Sequence, residues 1–317
     1  MINQWIRKFK PAYELYNFFQ RDQLAHNLPK YKKYGIRKKF YSSVSSSDFL
    51  GLDSPPNIHD KLNTRDTLPG LDAFHQLSPQ RQEELLQWSD SGYVILKGFF
   101  SDERVAQINK EVEYLNQSGK ARWVGNKMMF AIHYSDIILR ASADPELMQI
   151  IDLLMGKQME LFQSINFLTG SEQRTHSDSV HMSTFPYGNI IAAWIALEST
   201  DASNGPLHYY PGSHKLPYVV NKDYDNAGSK YFLGDKSYGV YEDTIDTILS
   251  QHNFERKLLF AEPGDVLLWH SNLLHGGEPQ LDKTKTRKSL VTHYYAEDAI
   301  CFHEITQRPT LKRKLKL

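Results

Sequence analysis

Residues 174–181 read RTHSDSVH, and residues 269–279 read WHSNLLHGGEP. The first stretch places His176 two residues before Asp178; the second places His275 directly before two glycines. Side chains on an extended chain alternate with a period of two, so His176 and Asp178 project from one face. Neutral imidazole and carboxylate suit a divalent transition metal. Two histidines and one carboxylate on one face leave three coordination positions open, the arrangement of non-heme Fe(II) oxygenases. Among 13 histidines, however, a His-x-Asp pair arises about once by chance at ordinary aspartate usage. The pair takes its meaning from what surrounds it.

Downstream of residue 156 the chain reads as mainly β. Candidate strands cover 159–169, 189–199, 206–213, 265–276 and 287–297, punctuated by Asn204-Gly205, Pro211-Gly212 and Pro263-Gly264. Upstream, helices start at Ser78-Pro79 and at Ser101, where Val105, Ile108, Val112 and Leu115 keep helical spacing. A third helix runs over 144–156 and closes at Gly156. A β-rich run follows Gly92. Helices followed by antiparallel-type strands predict a sheet-rich barrel or sandwich flanked by helices. Residues 221–255 interrupt the strands with a polar, tyrosine-rich insertion, read as a loop or lid.

Four ordered blocks resemble the phytanoyl-CoA dioxygenase family: THSD at 175–178, AAWIALESTDASNGPLHYYPGSHK at 192–215, PGDVLLWHSNLLHGGEP at 263–279 and RKSLVTHYY at 287–295. The segment 90–105 is similar to that family's opening, and the resemblance covers roughly 85–298. It implies a mainly β, α+β protein with a double-stranded β-helix, or jelly-roll, core. It implies Fe(II), 2-oxoglutarate and O2 as cofactor and cosubstrates. It implies His176, Asp178 and His275 as iron ligands and Arg287 as the partner of the distal carboxylate of 2-oxoglutarate. A guanidinium fork suits that carboxylate and keeps its charge there. Ser289, two residues on, shares the strand face of Arg287, and Trp194 matches a tryptophan lining the cosubstrate pocket. Gln163 and Asn166 have opposite parity, so only one faces the pocket; Gln163 is the candidate for the inner carboxylate. His181, Phe185 and Tyr209 are candidate substrate-lining residues. His270, five residues before His275, points the other way on a continuous strand and reads as structural; His293 reads as a core hydrogen-bonding residue. Halogenating relatives replace the carboxylate ligand with a small residue, so Asp178 favours hydroxylation or another oxidation of an organic small-molecule or carrier- or lipid-linked substrate. The competing readings are a non-catalytic jelly-roll binding module and a zinc hydrolase on the same ligands.

The 317 residues suffice for one substantial core and an extension. Net charge is zero, so no global field points to nucleic acid. Charge is uneven: residues 1–40 carry ten lysines and arginines against Glu14 and Asp22, and the stretch after His303 is also basic. The reading divides the chain into a basic, aromatic extension and linker at 1–70, an oxygenase domain at 71–300 and a basic tail at 301–317. The arm is expected to pack on the domain, with peripheral contact to an acidic partner or membrane surface as its sharper role. One cysteine, Cys301, fits a reducing, cytoplasmic setting, and no window of about 18 apolar residues spans a membrane.

Overall fold

A computed structural model describes residues 8–52 and 63–315 of the chain. Residues 1–7 and 53–62 of the extension and linker and 316–317 of the basic tail fall outside them. Helices of seven residues or more are α1 (Lys10–Phe19), α2 (Pro79–Leu85), α3 (Asp102–Gln117), α4 (Asp136–Ser142), α5 (Pro145–Met155) and α6 (Tyr238–Ser250). The predicted starts hold: the Ser78 and Ser101 hydroxyls accept the amides of Arg81 and Arg104, and Gly156 ends α5 in the left-handed region at φ 58°.

The strands are β1 (Tyr93–Leu96), β2 (Lys127–Met129), β3 (Met159–Phe167), β4 (Ser183–Phe185), β5 (Ile190–Ala196), β6 (Leu207–Tyr209), β7 (Lys257–Leu259), β8 (Val266–His270), β9 (His275–Gly277), β10 (Ser289–Ala296), β11 (Ile300–His303) and β12 (Arg308–Pro309). The main sheet is antiparallel with order β1-β8-β5-β10-β3-β2; β7-β6-β9 and β12-β11-β4 form two smaller sheets. Strand β5 is buried along its whole length because both faces are covered. Ile191, Ala193 and Ile195 face the helices with Leu268, Leu290, Ile108 and Leu154. Ala192, Trp194 and Ala196 face the small sheet with Leu267, Trp269, Leu207 and Leu259. This two-sheet sandwich with helices on one side is the jelly-roll expected. No helix among the described residues is long and apolar enough to cross a membrane.

Outside the strands the structure departs from the sequence reading in two segments. The insertion 221–255 is not a bare loop: it carries α6, whose Tyr241 and Ile245 are buried. Within the extension and linker, the serine-rich stretch SSVSSSDF at 42–49 folds into a 3-10 turn, Ser46–Phe49, whose Phe49 stacks on Phe185 at 4.3 Å. The arm is tied to β11 through the fully buried Glu304. Ser46 donates its amide (2.9 Å) and hydroxyl (2.6 Å) to that carboxylate, and Asn221 donates its amide at 3.1 Å. Arm, insertion and the residues following β11 thus share one acceptor. Glu304→Ala orphans three buried donors at about 1–3 kcal/mol each, so a loss of roughly 3 kcal/mol or more is expected in urea unfolding. Burial pushes the Glu304 carboxyl above its ordinary range, against the donors that lower it. A raised folded value means the stabilisation is fully present below the ordinary glutamate range and declines as pH rises through the folded value. The gap between wild type and variant is therefore expected to be wider at low pH than at pH 8.

Candidate metal centre

His176 and His275 meet as an antiparallel pair that exchanges both backbone hydrogen bonds, each 2.9 Å, with ring centroids 4.5 Å apart. Each Nδ1 lies 2.9 Å from the carbonyl two residues before it, Arg174 for one and Leu273 for the other. A carbonyl only accepts, so both Nδ1 atoms carry the proton and both Nε2 lone pairs are left for a metal. Asp178 opens a 3-10 turn at the end of the same stretch, and its Oδ1 lies 3.8 Å from His275 Nε2. One ligand atom from each of the three residues lies within 4.8 Å of the other two, and all three residues are buried. Three such atoms from two neutral imidazoles and a carboxylate fit a divalent ion with open positions.

Local packing explains the sequence around the ligands. A Cβ at Gly276 would lie 2.6 Å from the His208 ring and 2.7 Å from the Gln173 carbonyl, so β9 admits only glycine there. Helix α6 clamps the other stretch: Tyr241 Oη accepts the Ser177 amide at 3.0 Å. His208 in turn accepts or donates to Thr175 at 2.9 Å and sits against Glu278.

Burial, then His275, hold His176 well below the ordinary histidine range, so it is neutral. For Asp178, burial works to raise the carboxyl, but His275, His293 and His176 together outweigh it and keep the group below the carboxylate range. His176 and Asp178 stand in the protonation states a metal needs.

The trio lines a cavity of about 670 Å³. Arg287 and Trp194 line it too, with the guanidinium 5.5 Å from the centre of the indole ring. Arg287 is 1% exposed, and burial lowers it to about 10, which leaves it charged at neutral pH. Its Nε and Nη1, the Ser289 hydroxyl and the Trp194 Nε1 are buried with no hydrogen-bond partner among the described residues. A buried fork of unpaired donors around one cation fits a carboxylate ligand. Gln163 lines the cavity, whereas Asn166 faces the helices opposite Leu290 and Met128.

His181 lines the cavity and bonds Tyr238 Oη at 3.0 Å. The two aromatic candidates do not line it. Phe185 is stacked on Phe49 under the arm, and Tyr209 packs on Tyr93 at 4.7 Å inside the sandwich. Both strands are buried on both faces, so an aromatic there fills core on either side. His270 is structural as read, though for another reason: the strand breaks after it, and β8 and β9 belong to different sheets. His293 lies deeper in the chemistry than read, lining the cavity with its Nε2 3.8 Å from Asp178 Oδ2. Sequence reasoning missed Lys127, Tyr238, His303 and Trp269, which also line the cavity. Lys127 is half-buried, with no carboxylate partner among the described residues. Of the four, Trp269 alone lies in a family-like block, 263–279, and nothing local there points to its role.

The family model for phytanoyl-CoA dioxygenase matches residues 88–288. A probable alpha-ketoglutarate-dependent hypophosphite dioxygenase of Stutzerimonas stutzeri is 26% identical over 239 residues, covering 68% of this chain and 79% of that protein. The ectoine dioxygenase of Sphingopyxis alaskensis is 25% identical over 218 residues, covering 63% and 71%. Among solved structures, a non-heme alpha-ketoglutarate-dependent carbocyclase from nogalamycin biosynthesis superposes with a TM-score of 0.57 at 18% identity, over 72% of this chain and 87% of that one.

Proposed function

The chain belongs to the phytanoyl-CoA dioxygenase family and is an Fe(II)- and 2-oxoglutarate-dependent dioxygenase, and from that premise we propose the roles of its residues. His176, Asp178 and His275 hold the iron. Arg287 grips the distal carboxylate of 2-oxoglutarate with its two unpaired nitrogens, and Ser289 adds a hydroxyl. Trp194 walls the cosubstrate, and the Gln163 amide serves its inner carboxylate. When bound, Fe(II) with 2-oxoglutarate and dioxygen supplies an oxidant for an organic C–H bond, with succinate and carbon dioxide released. The protein's own work is to orient the reactants and keep water out.

Asp178 supplies the carboxylate ligand, so the reaction is hydroxylation or a related oxidation, not halogenation. The substrate is an organic molecule that meets His181, Tyr238 and Lys127 at the cavity wall. A carrier or lipid attached to it would stay outside, and the basic arm is the surface that would meet an anionic carrier or a membrane. A cytoplasmic location belongs to this reading and is supported by the single cysteine, Cys301.

The observation that carries the assignment is the unpaired, buried Arg287 in the same cavity as the His-Asp-His trio. A zinc hydrolase on these ligands gives that guanidinium no carboxylate to hold. Anaerobic addition of Fe(II) and then 2-oxoglutarate is expected to raise a visible metal-to-ligand charge-transfer band. Admitting air is then expected to yield succinate slowly even without substrate. Folded protein that gives neither band nor succinate at saturation rules the function out.

A further inference from the structure

The two oxygens of Asp178 have different surroundings. Oδ1 faces His275 Nε2 at 3.8 Å, toward the ligand trio. Oδ2 accepts the indole N–H of Trp269 at 2.8 Å, and His293 Nε2 stands 3.8 Å from that same oxygen. We propose that Trp269 is a positioning residue that makes Asp178 a one-oxygen ligand, turning Oδ1 to the metal and tying Oδ2 away from it. The proposal rests on the iron assignment above.

Trp269 is suited to this by its place in the fold. It is 4% exposed on β8, with β1 on one side (opposite Tyr93) and β5 on the other (opposite Ala192). Its backbone is laddered on both sides, and it belongs to one buried apolar cluster with Leu267, Leu273 and Val291. The same indole packs against the His275 ring, centroids 4.9 Å apart. One side chain therefore touches two of the three ligands. An N–H to an ionised carboxylate is a charge-assisted bond, stronger than a neutral pair, and in a buried site its loss is not replaced by water.

The consequence concerns coordination number. A carboxylate free to rotate can close both oxygens on an ion and consume a position that 2-oxoglutarate or dioxygen needs. The N–H on Oδ2 opposes that closure. The cavity's other indole makes the contrast: Trp194 is two residues along from Ala192, the β5 partner of Trp269, and its N–H has no partner among the described residues. Two tryptophans on adjacent strands thus serve different ends of one cavity, one the ligand set and one the cosubstrate.

The test uses the full chain with Co(II), an air-stable probe whose d–d absorption reports coordination number. Trp269→Phe is expected to weaken Co(II) binding by about ten- to a hundredfold, the usual cost of losing a group that orients a ligand, and to alter the d–d intensity. Apoprotein urea unfolding checks that the variant is folded. If it is not, 3-benzothienylalanine at 269 keeps the ring size and replaces the N–H with sulfur, and the same weakening is expected. A folded variant that binds Co(II) within about twofold of wild type, with an unchanged spectrum, overturns the role of Trp269 and leaves the metal centre standing. Wild-type protein that binds no Co(II) overturns the centre and the proposal with it.

Discussion

Asp178→Ala protein is expected to fold, to bind Fe(II) about a hundredfold or more weakly and to lose succinate formation below detection. Four-ligand structural sites are worth about 10–16 kcal/mol, so one ligand accounts for on the order of 3 kcal/mol, or two factors of ten. The loss is larger here in kind than in number. Asp178 is the one anionic ligand of the trio, and the two histidines that remain offer only their Nε2 lone pairs. Stability should fall as well. In the free protein the neighbouring histidines outweigh burial and hold Asp178 ionised, so its charge favours the folded state at neutral pH. Alanine also leaves the buried Trp269 N–H without its acceptor, at about 1–3 kcal/mol. The check is the anaerobic charge-transfer titration beside a urea curve. Wild-type succinate yield from a folded Asp178→Ala protein would remove the site as drawn.

The reach of each constraint along the chain explains which parts of the molecule were legible in its sequence. A period-two rule puts His176 and Asp178 on one face, and with His275 they were readable as ligands through the family-like blocks that carry them. The helices capped at Ser78, Ser101 and Asp144 were readable from local signals, whereas α4, capped by Ser135, was not. Trp269 was not readable as a partner of Asp178. The two lie 91 residues apart, and only the fold brings the indole to the carboxylate. The arm packs on the domain as expected, but its linker reading misled for a related reason. Serine-rich sequence composes a linker in most settings, yet Ser46 meets Glu304 across 258 residues and becomes part of a buried knot. Helix α6 was missed because tyrosines open it among polar neighbours, although Tyr241, Ile245 and Ile248 keep helical spacing. Phe185 and Tyr209 were offered as lining by residue type alone, which cannot tell a cavity wall from a core on strands buried throughout.

Arg287→Met is expected to separate cosubstrate binding from iron binding. Fe(II) affinity should stay near wild type, because no ligand atom is touched. Affinity for 2-oxoglutarate should fall by about thirtyfold or more, since breaking a buried, hydrogen-bonded charge pair costs roughly 2–5 kcal/mol. Arg287→Lys should recover part of this: the charge returns, but a lysine is a point charge without the planar fork. The unliganded variant makes the argument sharper. Arg287 is almost fully buried, burial depresses it to about 10, and two of its nitrogens have no partner among the described residues. A cation held that way is a cost to the folded state, so methionine of similar volume should leave the apoprotein as stable as wild type or more so. Ligand linkage then reverses the order: wild type gains stability from 2-oxoglutarate as RT ln(1 + [L]/Kd), and the methionine variant gains little. Thermal unfolding of both proteins with Mn(II), with and without 2-oxoglutarate, measures this crossing. If the methionine variant loses stability in the free state and still responds to 2-oxoglutarate as wild type does, Arg287 is a structural cation and the cosubstrate is anchored elsewhere in the cavity.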